Sequence, residues 1–305
     1  MMTASTGAAL QRIMAATDLS PLAGHAVDRA FQLAGAGGAA LTLVHVLNGK
    51  VLDQLRSLLG LASAPVEQRL RDAAEAGIRA QIAAADGHGV TPDVRLLTGE
   101  IIATLLQEAD RIEAGLLVLG AVGESLARRF VLGATVERLL QKTTRPLLVV
   151  RRPVEAPYRK VLVPVDFSPW SLPSLRMAMA VAPDARLVLL HAYEVPFESQ
   201  LNFAGLDEGI MQTYRTEARL RAEVQLRELA AEAGLPAGRY ELSLKHGPAV
   251  SMIEHGMAHD GHDLVVVGKH GRGWVEEMLM GSATQHLVQE ARIDVLVTSM
   301  AAPGR

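Results

Sequence analysis

A chain of 305 residues, 49% hydrophobic and 21% charged, is long enough for two domains of ordinary size, each with its own buried core. The formal net charge of -3 lacks the basic excess that tracks a phosphate backbone, which argues against a nucleic-acid partner; pairs such as Arg128-Arg129 and Arg151-Arg152 read as solvated surface. The absence of cysteine excludes disulfides, thiolate metal sites, iron–sulfur clusters and a cysteine nucleophile. No run approaches the ~18 apolar residues of a membrane span, and the opening MMTASTGAALQR lacks a basic start leading into an apolar stretch, so a cytoplasmic protein is expected.

In chain order, short β-branched apolar runs alternate with longer segments of helical period, the pattern of a parallel sheet with crossover helices. Strands are predicted at Arg12–Thr17, Ala40–Val46, Thr91–Thr98, Gly115–Gly120 and Pro146–Arg151, then at Lys160–Val165, Arg186–His191, Arg239–Lys245, Asp263–Gly268 and Ile293–Ser299. The first helix of each half carries a start signal, Ser20-Pro21 and Ser168-Pro169, a hydroxyl N-cap before a proline at the first helical position. Asn48–Pro65 and Glu194–Asp207 interrupt the pattern after the second strand, differ from each other, and read as variable excursions. Arg152 to Pro157, with two prolines in six residues, reads as a short extended linker between domains at 9–152 and 158–300.

The halves match at a constant offset of 148 residues: Asp18-Leu19-Ser20-Pro21 falls on Asp166-Phe167-Ser168-Pro169, and Gly99, Gly120, Gly123 and Gly133 fall on Gly247, Gly268, Gly271 and Gly281. Only the intervening loops slip, as His45 and His191 show. A period of domain size is a duplication of one domain and not a solenoid.

The most informative stretch is Gly268-Lys269-His270-Gly271, nine residues, then Gly281-Ser282-Ala283-Thr284. It begins where a buried strand ends and finishes where a helix begins. Glycines let backbone N–H groups approach phosphate oxygens, and a helix N-terminus adds unpaired donors and a favourable dipole. Neither GxxxxGK[ST] nor a GxGxxG after the first strand is present, which rejects Walker and Rossmann readings. Glycine spacing by itself also fits tight turns and helix caps.

The stretch resembles the G-x2-G-x9-G-[ST] pattern of the universal stress protein family, satisfied by Gly268, Gly271, Gly281 and Ser282, and the resemblance runs through both halves, from Val161-Leu162-Val163-Pro164-Val165-Asp166 to Asp294-Val295-Leu296-Val297. It implies an α/β fold of two tandem five-stranded parallel sheets, order 3-2-1-4-5, helices on both faces, of the adenine nucleotide α-hydrolase-like type. ATP or AMP, with or without Mg²⁺, would then bind at the carboxyl ends of strands one and four, the crevice where strand order reverses. By the resemblance Pro164 and Asp166 border adenine and ribose, Val267 flanks the base, Ala192 supplies a small apolar contact, and Gly268, Gly271, Gly281, Ser282 and Ala283 form the phosphate end. Asp166 is alternatively a helix-entry cap. Lys269, His270 and Arg272 either neutralise phosphates or are exposed loop charges.

The corresponding residues of the first half are Asp18, Val46, Gly120, Gly123, Gly133 and Thr135. There Ala134 replaces the pattern's hydroxyl residue and Ala16 stands opposite Pro164. Losing one hydroxyl donor costs on the order of 1 kcal/mol, a few-fold in affinity, so weaker binding is expected, with Thr135 one place on as a substitute donor. The resemblance also implies that the halves pack as a pseudo-dimer through their last strands, Pro146–Arg151 and Ile293–Ser299, covering two apolar edges; a crystal structure holding those strands apart removes that expectation.

His255, His259 and His262 lie close in sequence to Glu254, Asp260 and Asp263, but the pattern reads as the polar end of a helix in preference to a zinc site. His45 and His191 read as partly buried histidines bonded to backbone, not catalytic residues. No GxSxG, HExxH or carboxylate dyad is present, so no catalytic residue is assigned. Three function classes follow: a nucleotide-dependent stress-response regulator or sensor, with protein partners not identified; a slow Mg²⁺-dependent ATPase; and an interaction or small-lipophile-binding module, for which Phe197 and Phe203 in the second excursion are the supporting feature.

Overall fold

A computed structural model describes residues 10–60, 63–85, 88–121, 132–195, 198, 200, 207–271 and 280–299. Gly123, Arg128, Arg129, Phe197, Phe203 and Arg272 lie outside the described residues. The chain divides into two compact units, the first running through Pro157 and the second from Tyr158 to Ser299.

In unit 1 the elements are β1 (Arg12–Ala16), α1 (Pro21–Gly37), β2 (Ala40–Asn48), α2 (Gly49–Leu59), α3 (Ser63–Ala84), β3 (Asp93–Gly99), α4 (Ile101–Arg111), β4 (Leu116–Gly120), α5 (Ala134–Lys142) and β5 (Leu147–Val150). Every strand is parallel to its neighbour, in the order β3-β2-β1-β4-β5. Unit 2 repeats this with β6 (Lys160–Pro164), α6 (Ser171–Val181), β7 (Arg186–Tyr193), α7 (Glu208–Ala233), β8 (Tyr240–His246), α8 (Ala249–His259), β9 (Leu264–Gly268), α9 (Ser282–Glu290) and β10 (Asp294–Thr298), in the order β8-β7-β6-β9-β10. Both sheets therefore have the expected 3-2-1-4-5 order. The strands agree with the sequence reading to within two residues at either end, because continuous runs such as Val161-Leu162-Val163 are buried on both faces of a helix-covered parallel sheet. In each unit the helices form two layers: α1 contacts α3 and α4 contacts α5, while α6 contacts α7 and α8 contacts α9.

Two expectations are corrected. Asn48–Pro65 is not an irregular excursion: Asn48 caps α2 with its side chain, accepting from Lys50 N at 3.1 Å, and α3 begins at Ser63. Ser20 does cap α1, accepting from Ala23 N at 3.2 Å with Pro21 as the first helical residue. Ser168 does not cap α6. That helix starts at Ser171, after a turn closed by Ser171 N donating to Ser168 O at 3.0 Å and Ser171 Oγ donating to Asp166 Oδ1 at 3.0 Å; Phe167 is left-handed (φ 58°), but so is its counterpart Leu19 (φ 69°), so that conformation does not separate the two helix starts. The linker is held to unit 1, where Arg29 Nη1 donates to Ala156 O at 3.0 Å. Among the described residues no helix is long and apolar enough to cross a membrane.

Candidate functional site

The carboxyl ends of β6 and β9 carry most of the residues singled out in the second half. These two strands are registered at Val161↔Leu264 and Leu162↔Val265. The ladder stops there because Pro164, which closes β6, has no N–H to donate. In unit 1 the equivalent pair stays registered to Ala16↔Leu119. The ladder across the strand-order reversal is thus shorter in unit 2 than in unit 1.

Asp166 stands at its mouth. Oδ1 accepts from Ser168 N at 2.9 Å and from Ser171 Oγ at 3.0 Å, which organises the turn into α6. Oδ2 is directed elsewhere: a β-carbon added to Gly271 would lie 2.8 Å from it. The helix-entry role and a place beside the glycine loop therefore coexist in one carboxylate. Asp18 repeats the first role, accepting from Ser20 N at 3.0 Å.

The glycine loop leaves β9 at Gly268 and returns to α9 at Gly281, its ends tied by Gly281 N donating to Lys269 O at 2.9 Å. Unit 1 has the same tie, Gly133 N to Ala121 O at 2.8 Å. Gly268 O accepts from Thr284 Oγ1 at 2.8 Å. Helix α9 begins after Gly281 without a side-chain cap, and Ser282 and Ala283 in its first turn are exposed. Helix α5 likewise starts after Gly133 without a side-chain cap, with Ala134 exposed and Thr135 half-buried.

Gly120, Gly268, Gly271 and Gly281 all lie outside the left-handed region, so backbone conformation does not demand glycine at any of them. Steric surroundings separate them. A β-carbon on Gly120 would press on the α1 backbone at Leu22 O and Ala23 Cα, both 3.3 Å away, and one on Gly268 would meet Trp170 Cβ at 2.8 Å. One on Gly281 would find nothing nearer than 3.6 Å among the described residues. Packing explains the first two, whereas among the described residues Gly281 has room for a methyl group and Gly271 is opposed by the Asp166 carboxylate alone.

Lys269 is not an exposed loop charge: it is 8% exposed, and burial pushes its pKa below the ordinary lysine value. His270 packs tilted against Trp170, ring centroids 5.4 Å apart and planes at 60°, joining the glycine loop to the entry of α6. Trp170 was not singled out from sequence, since the repeat places Leu22 opposite it. Val267 is buried on β9, paired with Val297. Ala192, half-buried near the end of β7, lines a cavity of about 460 Å³ with Phe167, His191, Tyr193, Arg221 and Gln225. In unit 1 the matching turn is held against α3 instead. A β-carbon on Gly77 would be 3.0 Å from Leu19 Cδ1, while Gln81 accepts from Thr17 Oγ1 at 2.7 Å and donates to Ser20 O at 3.2 Å. Val46 is half-buried on β2, paired with Leu97 of β3.

The histidines read as backbone-bonded are so bonded. Nδ1 of His45 lies 2.8 Å from Thr17 O and that of His191 2.7 Å from Val165 O; a carbonyl only accepts, so Nδ1 carries the proton in each. His255 and His259 stack at 4.4 Å at the end of α8, and His262 Nδ1 donates to Gly256 O at 2.9 Å. Burial, with His262 3% exposed, pushes the pKa of that histidine below its ordinary value of about 6.5. Such a group is neutral in the fold and protonates in the unfolded chain first. Its contribution to stability is present above about pH 6.5 and is lost as pH falls toward the depressed folded value. Urea unfolding at pH 7.5 and 5.5 is expected to show a smaller loss of stability for His262→Asn than for the natural chain; equal losses exclude this assignment.

A family model described as the universal stress protein family matches residues 9–151 and again 157–299. A universal stress protein of Mycobacterium tuberculosis is 30% identical over 203 residues, covering 61% of this chain and 62% of the relative, so the chain spans less than two thirds of that relative's length. A universal stress protein A homolog of Coxiella burnetii is 30% identical over 144 residues, 46% of this chain and 93% of the relative. Among solved structures, a universal stress protein from Archaeoglobus fulgidus superposes with a TM-score of 0.65 at 18% identity, covering 96% of this chain and 99% of that one. A functionally unknown protein from Pseudomonas aeruginosa gives 0.61 at 20% identity, covering 97% and 95%. These two likenesses bear on fold alone. With the model matching twice, once over each half, the chain belongs to the universal stress protein family as a tandem of two such domains.

Proposed function

We propose that unit 2 binds an adenine nucleotide, ATP or AMP, with or without Mg²⁺, and that occupancy biases the conformation or partner choice of a stress-response regulator whose halves pair through their last strands. The observation that carries this reading is the meeting, at the carboxyl ends of β6 and β9, of a carboxylate, a glycine opposed by that carboxylate alone among the described residues, and a helix N-terminus without a side-chain cap. A triphosphate chain is recognised by backbone donors of this kind, and a ribose diol by a carboxylate. When bound, the nucleotide supplies the phosphate charge; the amides of Ser282 and Ala283 and the buried ammonium of Lys269 are this chain's groups for holding it.

Unit 1 is the weaker site in this proposal. It lacks the hydroxyl at Ala134, its β1–β4 pairing extends further, and its Thr17–Ser20 turn is bonded to Gln81. Calorimetric titration of the full chain with ATP and AMP is expected to give one tight site per chain, lost in Asp166→Ala and kept in Asp18→Ala. A difference of at least about tenfold between the two variants is expected. Absence of binding heat, or a larger loss in Asp18→Ala, overturns the reading.

A further inference from the structure

Helix α7 carries two apolar stripes on opposite faces. The inner one, Met211, Ala222, Leu226, Ala230 and Ala233, is buried. On the outer one Leu220 is 56% and Val224 55% exposed, and Ile210 and Tyr214 are also large apolar side chains left open. Burial of a single face suffices to hold a helix on its sheet, so the outer stripe has no role in the fold of the unit.

Its spacing is specific. Ile210, Thr213, Glu217, Leu220, Val224, Arg227 and Ala231 recur at alternating intervals of three and four, the 3.5-residue period of a coiled-coil seam, and all seven are exposed. We propose that this seam pairs with the same seam of a second copy of the chain, antiparallel, about a two-fold axis at the level of residue 222. In that register Leu220 of one copy faces Val224 of the other, Thr213 faces Ala231, and Glu217 faces Arg227, each contact being made twice as two-fold symmetry requires. A parallel pairing sets Glu217 on Glu217 and Arg227 on Arg227, which like-charge repulsion opposes. The present partners of these charges lie on the same unit and are weak: Glu217 pairs with Arg221 at 3.3 Å, and Arg227 with Glu223 at 2.8 Å and with the side chain of Tyr240 on β8. The charge pattern selects a second copy over an unrelated apolar partner, because both halves of each ion pair are supplied by this one helix.

A single helix seam falls below the standard interface size, so a dissociation constant on the order of 10–100 μM is expected. Sedimentation of the full chain over a concentration series should show the mass rising from one chain to two. Leu220→Asp should raise the dissociation constant by about tenfold or more, with an unchanged melting temperature because the position is exposed. Glu217→Arg and Arg227→Glu should each weaken the dimer, and the double variant, which exchanges the two charges, should restore it. A chain that stays single at the highest concentration removes a second copy as the occupant. A dimer indifferent to Leu220→Asp, or a double variant no better than the two singles, likewise overturns the proposal.

Discussion

Gly271→Ala is expected to lower the affinity for ATP by tenfold or more. The new methyl group would sit 2.8 Å from Asp166 Oδ2, too close to remain, and the carboxylate is already held through Oδ1 by Ser168 N and Ser171 Oγ. Either the carboxylate leaves its position or the loop does, and both disturb more than one contact to a bound nucleotide; each 1.4 kcal/mol is a decade in affinity. Gly281→Ala separates function from folding more cleanly. Its methyl group meets nothing nearer than 3.6 Å among the described residues, so the start of α9 is not displaced and the melting temperature should hold. Crowding of the α9 amides should still reduce binding of ATP and of pyrophosphate alike. Asp166→Ala should weaken adenosine nucleotides while sparing pyrophosphate. Calorimetry with both ligands, run beside thermal melts, reads all three variants; ATP affinity intact in Gly271→Ala and Gly281→Ala would leave unit 2 without a phosphate site.

Leu162→Ala should cost about 2–5 kcal/mol of the stability of unit 2. The side chain is 0% exposed in the central strand β6, and its Cδ2 lies 3.5 Å from where Gly256 of α8 would carry a β-carbon, so truncation leaves a cavity between sheet and helix. Both tryptophans, Trp170 and Trp274, belong to the second half, so tryptophan fluorescence in urea follows this unit alone. The midpoint should fall with the slope unchanged. Gly256→Ala is the control, since its methyl group would make ordinary contacts of 3.5–3.8 Å and alanine is the better helix former by up to about 1 kcal/mol. A Leu162→Ala loss below about 1 kcal/mol would mean that the packing of α8 on β6 is looser than these contacts imply.

The strands and the glycine loop were legible because each rests on a local or repeated signal: continuous apolar runs for buried parallel strands, and a pattern recurring at one offset for the duplicated domain; the strand order came from the family resemblance. Helix starts were legible only in part. Ser20-Pro21 and Ser168-Pro169 carry the same local signal, yet α1 begins at Pro21 and α6 at Ser171, because propensity does not show that the Asp166 carboxylate, bound by Ser171 Oγ, lengthens the second turn. Asn48–Pro65 was misread for a different reason: Val51, Leu52, Leu55, Leu58 and Leu59 do recur at helical spacing, but the two halves differ in this stretch, so the repeat that guided the rest of the reading lent a helix there no support.

The amino-acid sequence by itself determined the family, the tandem arrangement and the positions of the two glycine loops, all of which depend on spacings within one chain segment or on its repetition, and the strand order followed from the family. Only the tertiary structure decided what surrounds those positions. That Gly271 is opposed by Asp166, that Trp170 rests on His270, and that Gln81 bonds the first unit's turn are contacts between segments 61 to 105 residues apart, and the burial of Lys269 is likewise set by the packing around it. Their distances follow from how helices seat on the sheet, and a difference as small as Leu19 against Gly77 in one unit and Phe167 against His191 in the other sets two nearly identical spacings on different chemical terms.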